Sequence, residues 1–184
     1  MRRARQIFEL DYHFCPTCKS SLMFVKSEKK TVLSCSKCGF VFWNTPKPVV
    51  SALLIYSRRV LLVQRNKGAY KFYWALPGGV IDFLETPEHA LKREVKEETG
   101  FNVSLSQLID SYLIVYAPRG LTKKPSHTSI DLVYRISVSN RLDRSLKSPD
   151  GKEIRDIKFF PLGNLPKKIA FGHREIVKKH KQLV

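Results

Sequence analysis

The chain has 184 residues, with 33 Lys and Arg against 16 Asp and Glu and a formal net charge of +17. Hydrophobic residues make up 43% of it, which is enough to bury a core and argues against intrinsic disorder. No apolar run approaches the roughly 18 residues of a membrane-spanning helix, and none follows the basic residues 1–5. We therefore expect no membrane span, no secretory signal and a cytoplasmic location. The positive charge favours a polyanionic partner, although a basic surface can also serve only to keep a chain soluble.

Four cysteines near the start of the chain form two Cys-x-x-Cys pairs separated by sixteen residues, Cys15 with Cys18 and Cys35 with Cys38. This spacing is typical of a zinc site made of four thiolates, and Gly39 permits the tight turn that such a site needs. Two disulfides or four inert core thiols are the alternatives, and disulfides are disfavoured because nothing indicates a secreted chain. Since four thiolates fill the coordination shell, we expect a structural rather than a catalytic Zn²⁺.

A proline-rich connector follows the cysteines. Pro46 and Pro48 stand one residue apart, which resists helix formation and favours an extended segment, so we predict a domain boundary there. The module before it is predicted to be a zinc ribbon, which either contacts nucleic acid or protein or only braces its neighbour. The predicted divisions are an N-terminal tail over residues 1–12, a zinc ribbon over 13–44 and a larger domain over 45–184.

Downstream of the boundary, apolar and β-branched runs predict a strand over residues 49–56 and a returning strand over residues 60–64. The stretch from Trp74 to Gly79 is predicted to be a loop or tight turn. Further strands are predicted over residues 103–116, 129–138 and 154–160, and a short basic helix over residues 172–181. Hairpins mixed with crossovers and a few helices predict an α/β or α+β sandwich.

A helix is predicted between Thr86 and Gly100. Thr86 suits the N-cap, Pro87 suits the first helical position, and Gly100 suits the end of the helix. Ala90, Leu91 and Val95 would give this helix an apolar side facing the core.

Three carboxylates lie on another face of the same predicted helix. Glu94, Glu97 and Glu98 fall within about one turn, where their charges repel unless they share a hard divalent cation such as Mg²⁺ or Mn²⁺. An ordinary solvated acidic face is the alternative interpretation. The preceding Gly78 and Gly79 favour the metal interpretation, because small residues let backbone groups approach a metal or a phosphate.

The stretch from Gly79 to Phe101 resembles the Nudix box, which is a glycine, five residues, a glutamate, seven residues and then Arg-Glu-apolar-any-Glu-Glu-any-Gly-apolar. Every fixed position matches, namely Gly79, Glu85, Arg93, Glu94, Val95, Glu97, Glu98, Gly100 and Phe101. The resemblance covers most of residues 47–170. With the N-terminal zinc ribbon, the chain is similar to pyrophosphatases of this family that act on NADH, FAD or ADP-ribose.

This resemblance implies an α/β/α sandwich with a mixed sheet that hydrolyses a nucleoside diphosphate linked to another moiety. It implies that Glu94, Glu97 and Glu98 bind the catalytic Mg²⁺ or Mn²⁺, with a backbone carbonyl from the Gly79 region. Arg93 and Glu85 would orient these carboxylates through an ion pair.

A carboxylate is also expected to accept the proton of the attacking water. One of the box glutamates could do so, and Glu153, just before the last predicted strand, is a comparable candidate. Asp131 and Asp156 are weaker candidates, since surface carboxylates commonly only balance neighbouring Lys or Arg.

Several residues are candidates for substrate contact. Arg65 could hold a phosphate through its guanidinium, and Trp74 is one of three consecutive aromatic residues that could stack on a base. Gly78 could bring its backbone close to a phosphate, and Arg119 lies in a basic segment that could cover an anionic substrate. Solvated loop charges and a core aromatic residue are the alternatives at these positions.

The specific substrate stays open at this stage. The chain lacks the additional Ser-Gln-Pro-Trp-Pro-Phe-Pro-any-Ser stretch of the NADH pyrophosphatase subgroup, which weakens the case for NADH. The candidate substrates are therefore ADP-ribose, FAD, NADH and other nucleoside diphosphate derivatives. The alternatives are a nucleic-acid-binding or regulatory protein that uses the domain as a nucleotide sensor, and an enzyme acting on RNA ends. A homodimer is a further expectation from the resemblance.

Overall fold

The computed structural model describes residues 12–27, 30–68, 70–116, 127–139, 146, 148–149 and 151–182. These residues divide into two compact units, one within residues 1–46 and 115–128 and the other within residues 47–114 and 129–184. Neither of the helices in the described ranges is long and apolar enough to span a membrane.

The first unit contains a small antiparallel sheet. Its strands are β1 (Met23–Ser27), β2 (Lys30–Ser34) and β3 (Val41–Phe42), which pair in that order. Val32 and Leu33 of β2 are buried, whereas most of β1 is exposed.

The second unit contains two sheets of four hydrogen-bonded strands each. In the first sheet the order is β8-β4-β10-β9; β4 pairs parallel to β10 and antiparallel to β8, so this sheet is mixed. In the second sheet the order is β11-β6-β5, with β7 also paired to β6. The strands are β4 (Lys47–Leu53), β5 (Ile55–Tyr56), β6 (Arg59–Arg65), β7 (Trp74–Ala75), β8 (Gly78–Val80), β9 (Val103–Tyr116), β10 (His127–Val138) and β11 (Ile154–Pro161).

Two helices pack on opposite faces of these strands. Helix α1 (Pro87–Thr99) shares a hydrophobic cluster with Val50 and Ala52 of β4, whereas α2 (His173–His180) shares a second cluster with Leu53 of the same strand. Because successive side chains of a strand point to opposite faces, this alternation places the strands between the two helices. The arrangement is the expected α/β/α sandwich with a mixed sheet.

The ends of α1 agree with the sequence prediction. The Thr86 hydroxyl accepts a hydrogen bond from the His89 N–H at 3.3 Å, and Pro87 begins the helix. Gly100 ends it in the left-handed conformation with φ 74°, and its N–H donates to the Lys96 carbonyl at 2.9 Å. The predicted cap residues at both ends are therefore confirmed.

The structure differs from the sequence prediction where short segments pair with distant strands. The stretch from Trp74 to Gly79, predicted as a loop, contributes β7 and β8, and the single strand predicted over residues 49–56 is divided into β4 and β5. Along β10, the apolar residues Ile130, Leu132, Tyr134 and Ile136 alternate in the sequence, yet Asp131 and Val133 between them are also fully buried. An interior strand of a mixed sheet is covered on both faces, which sequence alternation does not reveal.

Replacing Gly100 with Ala should lower the free energy of unfolding by about 1 kcal/mol, because a side chain at φ 74° is strained. Denaturant unfolding followed by circular dichroism would measure this. Gly163→Ala is the matched control, since Gly163 lies outside the left-handed region and a Cβ there meets nothing within 4 Å. Equal effects of the two substitutions would contradict the role given to the Gly100 cap.

Candidate active site

Helix α1 carries the three box glutamates at different depths. The side chains of Glu94 and Glu97 are 16% and 57% exposed, and Glu98 is buried. The spacing predicted that these residues share a face, and the tertiary structure adds that Glu98 is buried and Glu94 is mostly covered.

The Glu98 carboxylate lies against the backbone of β8. Its Oε2 accepts a hydrogen bond from the Gly78 N–H at 2.9 Å. Burial raises the pKa of Glu98 to about 8, because this one hydrogen bond offsets only part of the lost hydration. The neighbouring charge of Glu94 raises the pKa further, whereas that of Arg65 lowers it.

Gly79 and Glu94 are in close contact. A Cβ added at Gly79 would lie 2.3 Å from Oε1 of Glu94, so any other residue type would displace this carboxylate from its present position. Burial is also the main cause that raises the pKa of Glu94, and Arg93 opposes it. Gly78 is restricted as well, since a Cβ there would lie 2.0 Å from the Val50 carbonyl oxygen and its φ is 149°.

Arg93 links the start of the box to its helix. Its Nε and one terminal nitrogen donate to the two carboxylate oxygens of Glu85 at 2.9 and 2.8 Å, which is bidentate pairing. Its other terminal nitrogen donates to Glu94 at 2.8 Å and to Glu97 at 3.4 Å. The Arg93 hydrogen bond lowers the pKa of Glu85 to about 2. Arg93 therefore pairs with three carboxylates, those of Glu85, Glu94 and Glu97.

These observations fit a hard divalent cation. The available donors are carboxylate and backbone oxygens, which Mg²⁺ and Mn²⁺ prefer. Two of the carboxylates are desolvated, and a cation would favour their ionised form. The only countercharge that contacts Glu94 directly among the described residues is Arg93, which also draws Glu97 toward itself.

Arg65 and Glu153 lie at the neighbouring ends of β6 and β11. Ile154 pairs with Arg65 in the sheet, and the Asn66 N–H donates to the Glu153 carbonyl at 2.8 Å. The Glu153 side chain is 48% exposed and lies 3.5 Å from the Lys67 ammonium. Burial is the main cause that raises the pKa of Glu98, and the negative charge of Glu153 makes a smaller contribution in the same direction. This position leaves Glu153 accessible beside the box carboxylates.

The aromatic residues before the box differ in accessibility. Trp74 is only 9% exposed and packs edge-to-face on Phe160 at 4.7 Å, so most of its ring is already covered. Phe72 is 42% exposed, and the Arg155 guanidinium lies 5.0 Å from its ring centre. The guanidinium of Arg65 lies 5.1 Å from the Phe171 ring centre. Arg119 lies outside the described residues.

The two weaker carboxylate candidates are engaged elsewhere. Asp131 is completely buried and accepts a hydrogen bond from the Ser51 hydroxyl at 2.9 Å, and its Oδ2 lies 3.3 Å from Nε2 of His173. Asp156 lies 2.6 Å from the Lys158 ammonium. Sequence reasoning did not identify Ser51 or His173 as polar partners. The one sequence signal was an aspartate inside an apolar strand, which rarely stands there without partners.

The four cysteines come together in the first unit. Their sulfurs all lie within 4.8 Å of one another, and Cys15–Cys38 and Cys18–Cys35 are each 3.5 Å apart. These distances exceed a disulfide bond, and all four thiols are free. Four sulfurs in a tetrahedron around zinc would be about 3.8 Å apart, given a Zn–S distance of about 2.3 Å. The cluster therefore fits a tetrahedral metal ion.

Glu98→Gln should stabilise the protein in buffer without added divalent cation. The folded pKa of about 8 lies above the ordinary value of 4.5, so the folded protein retains a proton that the unfolded chain releases between these pH values. The wild type should thus lose stability as the pH rises from 5 to 8. Glutamine cannot ionise and still offers an oxygen to Gly78, so the variant should be more stable by on the order of 4 kcal/mol at pH 8. Urea unfolding of both proteins at pH 5 and 8 measures this, and parallel pH dependences would contradict it.

Comparison with known proteins identifies the family. The model of the NUDIX domain matches residues 45–180. An ADP-ribose pyrophosphatase from Methanocaldococcus jannaschii is 34% identical over 135 residues, which span 73% of this chain and 73% of that protein. An RNA pyrophosphohydrolase from Nitratiruptor sp. is 26% identical over 141 residues, spanning 72% of this chain and 89% of that protein.

Solved structures show the same fold. A NUDIX hydrolase from Nitrosomonas europaea superposes with a TM-score of 0.66 at 22% identity, covering 92% of this chain and 90% of its own. The NUDIX domain of Shewanella oneidensis NrtR, complexed with ADP ribose, superposes with a TM-score of 0.61 at 21% identity, covering 77% and 91%. Since the family model matches well over half of the chain and the M. jannaschii relative is 34% identical over 73% of its length, this chain belongs to the NUDIX family and is a pyrophosphohydrolase.

Proposed function

We propose that this enzyme hydrolyses the diphosphate bond of ADP-ribose or a closely related nucleoside diphosphate derivative, using Mg²⁺ or Mn²⁺ bound by Glu94, Glu97 and Glu98 and the Gly79 carbonyl. The observation that carries the proposal is the contact of two desolvated box carboxylates with the Gly78–Gly79 backbone. The choice of ADP-ribose is supported by the M. jannaschii relative and by the ADP ribose complex of the S. oneidensis domain.

The residues of this chain would prepare the site for an anionic substrate. A bound Mg²⁺ or Mn²⁺ would neutralise diphosphate oxygens and lower the pKa of water, which makes a nucleophile available near neutral pH. Arg93, which pairs with Glu85, also donates a hydrogen bond to Glu94, and the Gly78 N–H donates one to Glu98, so each of these carboxylates is held by a fixed donor. Preorganised carboxylates need little rearrangement when the cation and substrate arrive.

Glu153 is our preferred group for accepting the proton of the attacking water. It is half exposed and its charge acts on both Glu94 and Glu98, so it lies near the proposed reaction centre. One oxygen of Glu153 lies 3.5 Å from the Lys67 ammonium, and the exposed carboxylate can still accept a hydrogen bond from water. One of the box glutamates is the alternative base.

Substrate contacts are proposed for Arg65, Gly78, Trp74 and Arg119. The charge of Arg65 reaches Glu98, which supports a place for its guanidinium beside the diphosphate. For Trp74, only the exposed 9% of its surface would be available to a ligand.

Glu97→Gln and Glu98→Gln should each lower Mg²⁺-dependent hydrolysis of ADP-ribose by roughly a hundredfold or more, because each removes one charged oxygen ligand. Release of AMP from a panel of ADP-ribose, NADH, FAD and nucleoside triphosphates would measure this. Glu175→Gln on α2 is the matched control, since this glutamate is 70% exposed and pairs only with Lys178 in the described contacts. Full activity of either box variant on every cleaved substrate would refute the metal assignment.

A triphosphorylated RNA end is a second candidate substrate. The net charge of +17 and the similarity to the RNA pyrophosphohydrolase of Nitratiruptor sp. support it. A short RNA with a 5′-triphosphate therefore belongs in the same panel, at two salt concentrations. Binding of RNA or DNA without turnover would instead favour a regulatory role.

We further propose that Cys15, Cys18, Cys35 and Cys38 bind one structural Zn²⁺ in a zinc ribbon. The support is the convergence of four free thiols at distances that suit a tetrahedral ion. Only three short strands lie within the described part of residues 12–46, so the ion would contribute much of the stability of this module.

The purified wild type should contain about one zinc per chain, and Cys15→Ser should lose most of it, because a hydroxyl is a poor ligand for zinc. Elemental analysis by mass spectrometry measures the ratio. Ser36→Ala, between two of the cysteines, is the matched control and should keep its zinc. A folded wild-type protein with four titratable thiols and no metal would exclude the site.

A further inference from the structure

A buried polar cluster lies on the face of the sheet opposite α1. Ser51 of β4, Asp131 of β10 and His173 at the start of α2 are 4%, 0% and 3% exposed. The Ser51 hydroxyl donates to Oδ2 of Asp131 at 2.9 Å, and Nε2 of His173 lies 3.3 Å from the same oxygen. The NUDIX box includes none of these residues, yet burying three polar groups is costly unless each makes a defined set of hydrogen bonds.

The partners of His173 determine which ring nitrogen carries the proton. The Leu76 N–H donates to Nδ1 of His173 at 2.9 Å, and since a backbone N–H can only donate, Nδ1 must be the unprotonated nitrogen. Nε2 then carries the hydrogen and faces the Asp131 carboxylate and, at 3.5 Å, the Ser51 hydroxyl. Asp131 thus stabilises the tautomer of His173 with its hydrogen on Nε2, which leaves Nδ1 as an acceptor for the Leu76 N–H.

Leu76 begins the backbone segment that reaches the box carboxylates. The next residue, Pro77, accepts from the Ala52 N–H at 2.7 Å, and the one after it, Gly78, donates to Glu98. Gly78 and Gly79 then pair with Ser51 and Val50 in the sheet. The segment from Leu76 to Gly79 is therefore held by His173 at one end and contacts Glu94 and Glu98 at the other.

The cluster is unsuited to nucleophilic catalysis. Its serine and histidine are almost completely buried, and both contact the same oxygen of Asp131 rather than forming a relay that ends at an accessible hydroxyl. The second oxygen of Asp131 is buried and has no hydrogen-bond partner among the described residues. The cluster instead contacts the backbone before the box, because His173 accepts a hydrogen bond from the Leu76 N–H.

We propose that His173 is a positioning residue for the metal site, which holds the Leu76–Gly79 backbone through the Leu76 N–H while Asp131 and Ser51 fix its tautomer. This inference rests on the proposed metal site at Gly79 and the box glutamates. The contact is on the opposite side of the sheet from the carboxylates, so His173 would act only through the backbone that both share.

Two amide substitutions test the two ring nitrogens of His173 separately. His173→Asn keeps an acceptor near the position of Nδ1 and loses the reach to Asp131, whereas His173→Gln reaches Asp131 and offers no acceptor at the Nδ1 position. The dissociation constant for Mn²⁺, measured from the electron paramagnetic resonance of the free ion, should rise about tenfold in the Gln variant and change much less in the Asn variant. Amide hydrogen exchange at Leu76 should accelerate in the Gln variant alone.

The matched control is His180→Gln, since His180 is also buried on α2 but contacts Asp110 at 2.8 Å. It should leave Mn²⁺ binding unchanged even if it lowers the thermal midpoint as much as His173→Gln does. Equal Mn²⁺ affinities of the two His173 variants and the wild type would overturn the positioning role. A wild type that binds no Mn²⁺ would instead contradict the proposed metal site itself.

Discussion

The close approach of helix α1 to the Gly78–Gly79 backbone is the constraint on which the site depends. A Cβ at Gly79 would displace the Glu94 carboxylate from its position, and a Cβ at Gly78 would collide with the Val50 carbonyl of β4, so both glycines are needed for this arrangement. The contact removes Glu94 and Glu98 from water and leaves each with few partners, which is why burial dominates the shift of both pKa values. A helix of the same sequence set farther from the sheet would present an ordinary solvated acidic face.

Arg93 compensates the acidic face without cancelling it. Bidentate pairing with Glu85 uses Nε and one terminal nitrogen, whereas the other terminal nitrogen alone donates to both Glu94 and Glu97. A guanidinium with a fixed fork can orient one carboxylate while it pairs fully with another, which a lysine cannot do. Of the three box glutamates on α1, Glu98 is the one that Arg93 does not contact, and its partner is a backbone N–H. The chain therefore keeps a desolvated acidic centre within a strongly basic protein, an arrangement suited to an anionic substrate and a cation.

Local features of this protein could be predicted because their partners are close in sequence. The caps of α1 at Thr86 and Gly100 follow from rules that act within one helical turn, and both were found where expected. The convergence of the cysteines also follows from spacing, since each Cys-x-x-Cys pair directs two sulfurs to one point. The match of the box positions identified the family, which the comparison with known proteins confirmed. Predictions failed where short segments pair at long range, as at Trp74–Ala75, whose strand exists only because β6 lies beside it.

By itself, the sequence determined the box helix, its caps, the acidic face and the four-cysteine pattern, because each depends on fixed spacings along a few residues. Only the tertiary structure decided which carboxylates are desolvated and how the loop that contacts them is held. The partners of His173 stand 97 residues away at Leu76 and 122 residues away at Ser51, and no local pattern encodes such pairs. Trp74 and Asp131 show the same limit, since their sequence neighbours allowed a surface position and the packing of β6, β10 and α2 buried both. Burial and tautomer are properties of the assembled layers, and they decide the electrostatics from which the chemistry of this site follows.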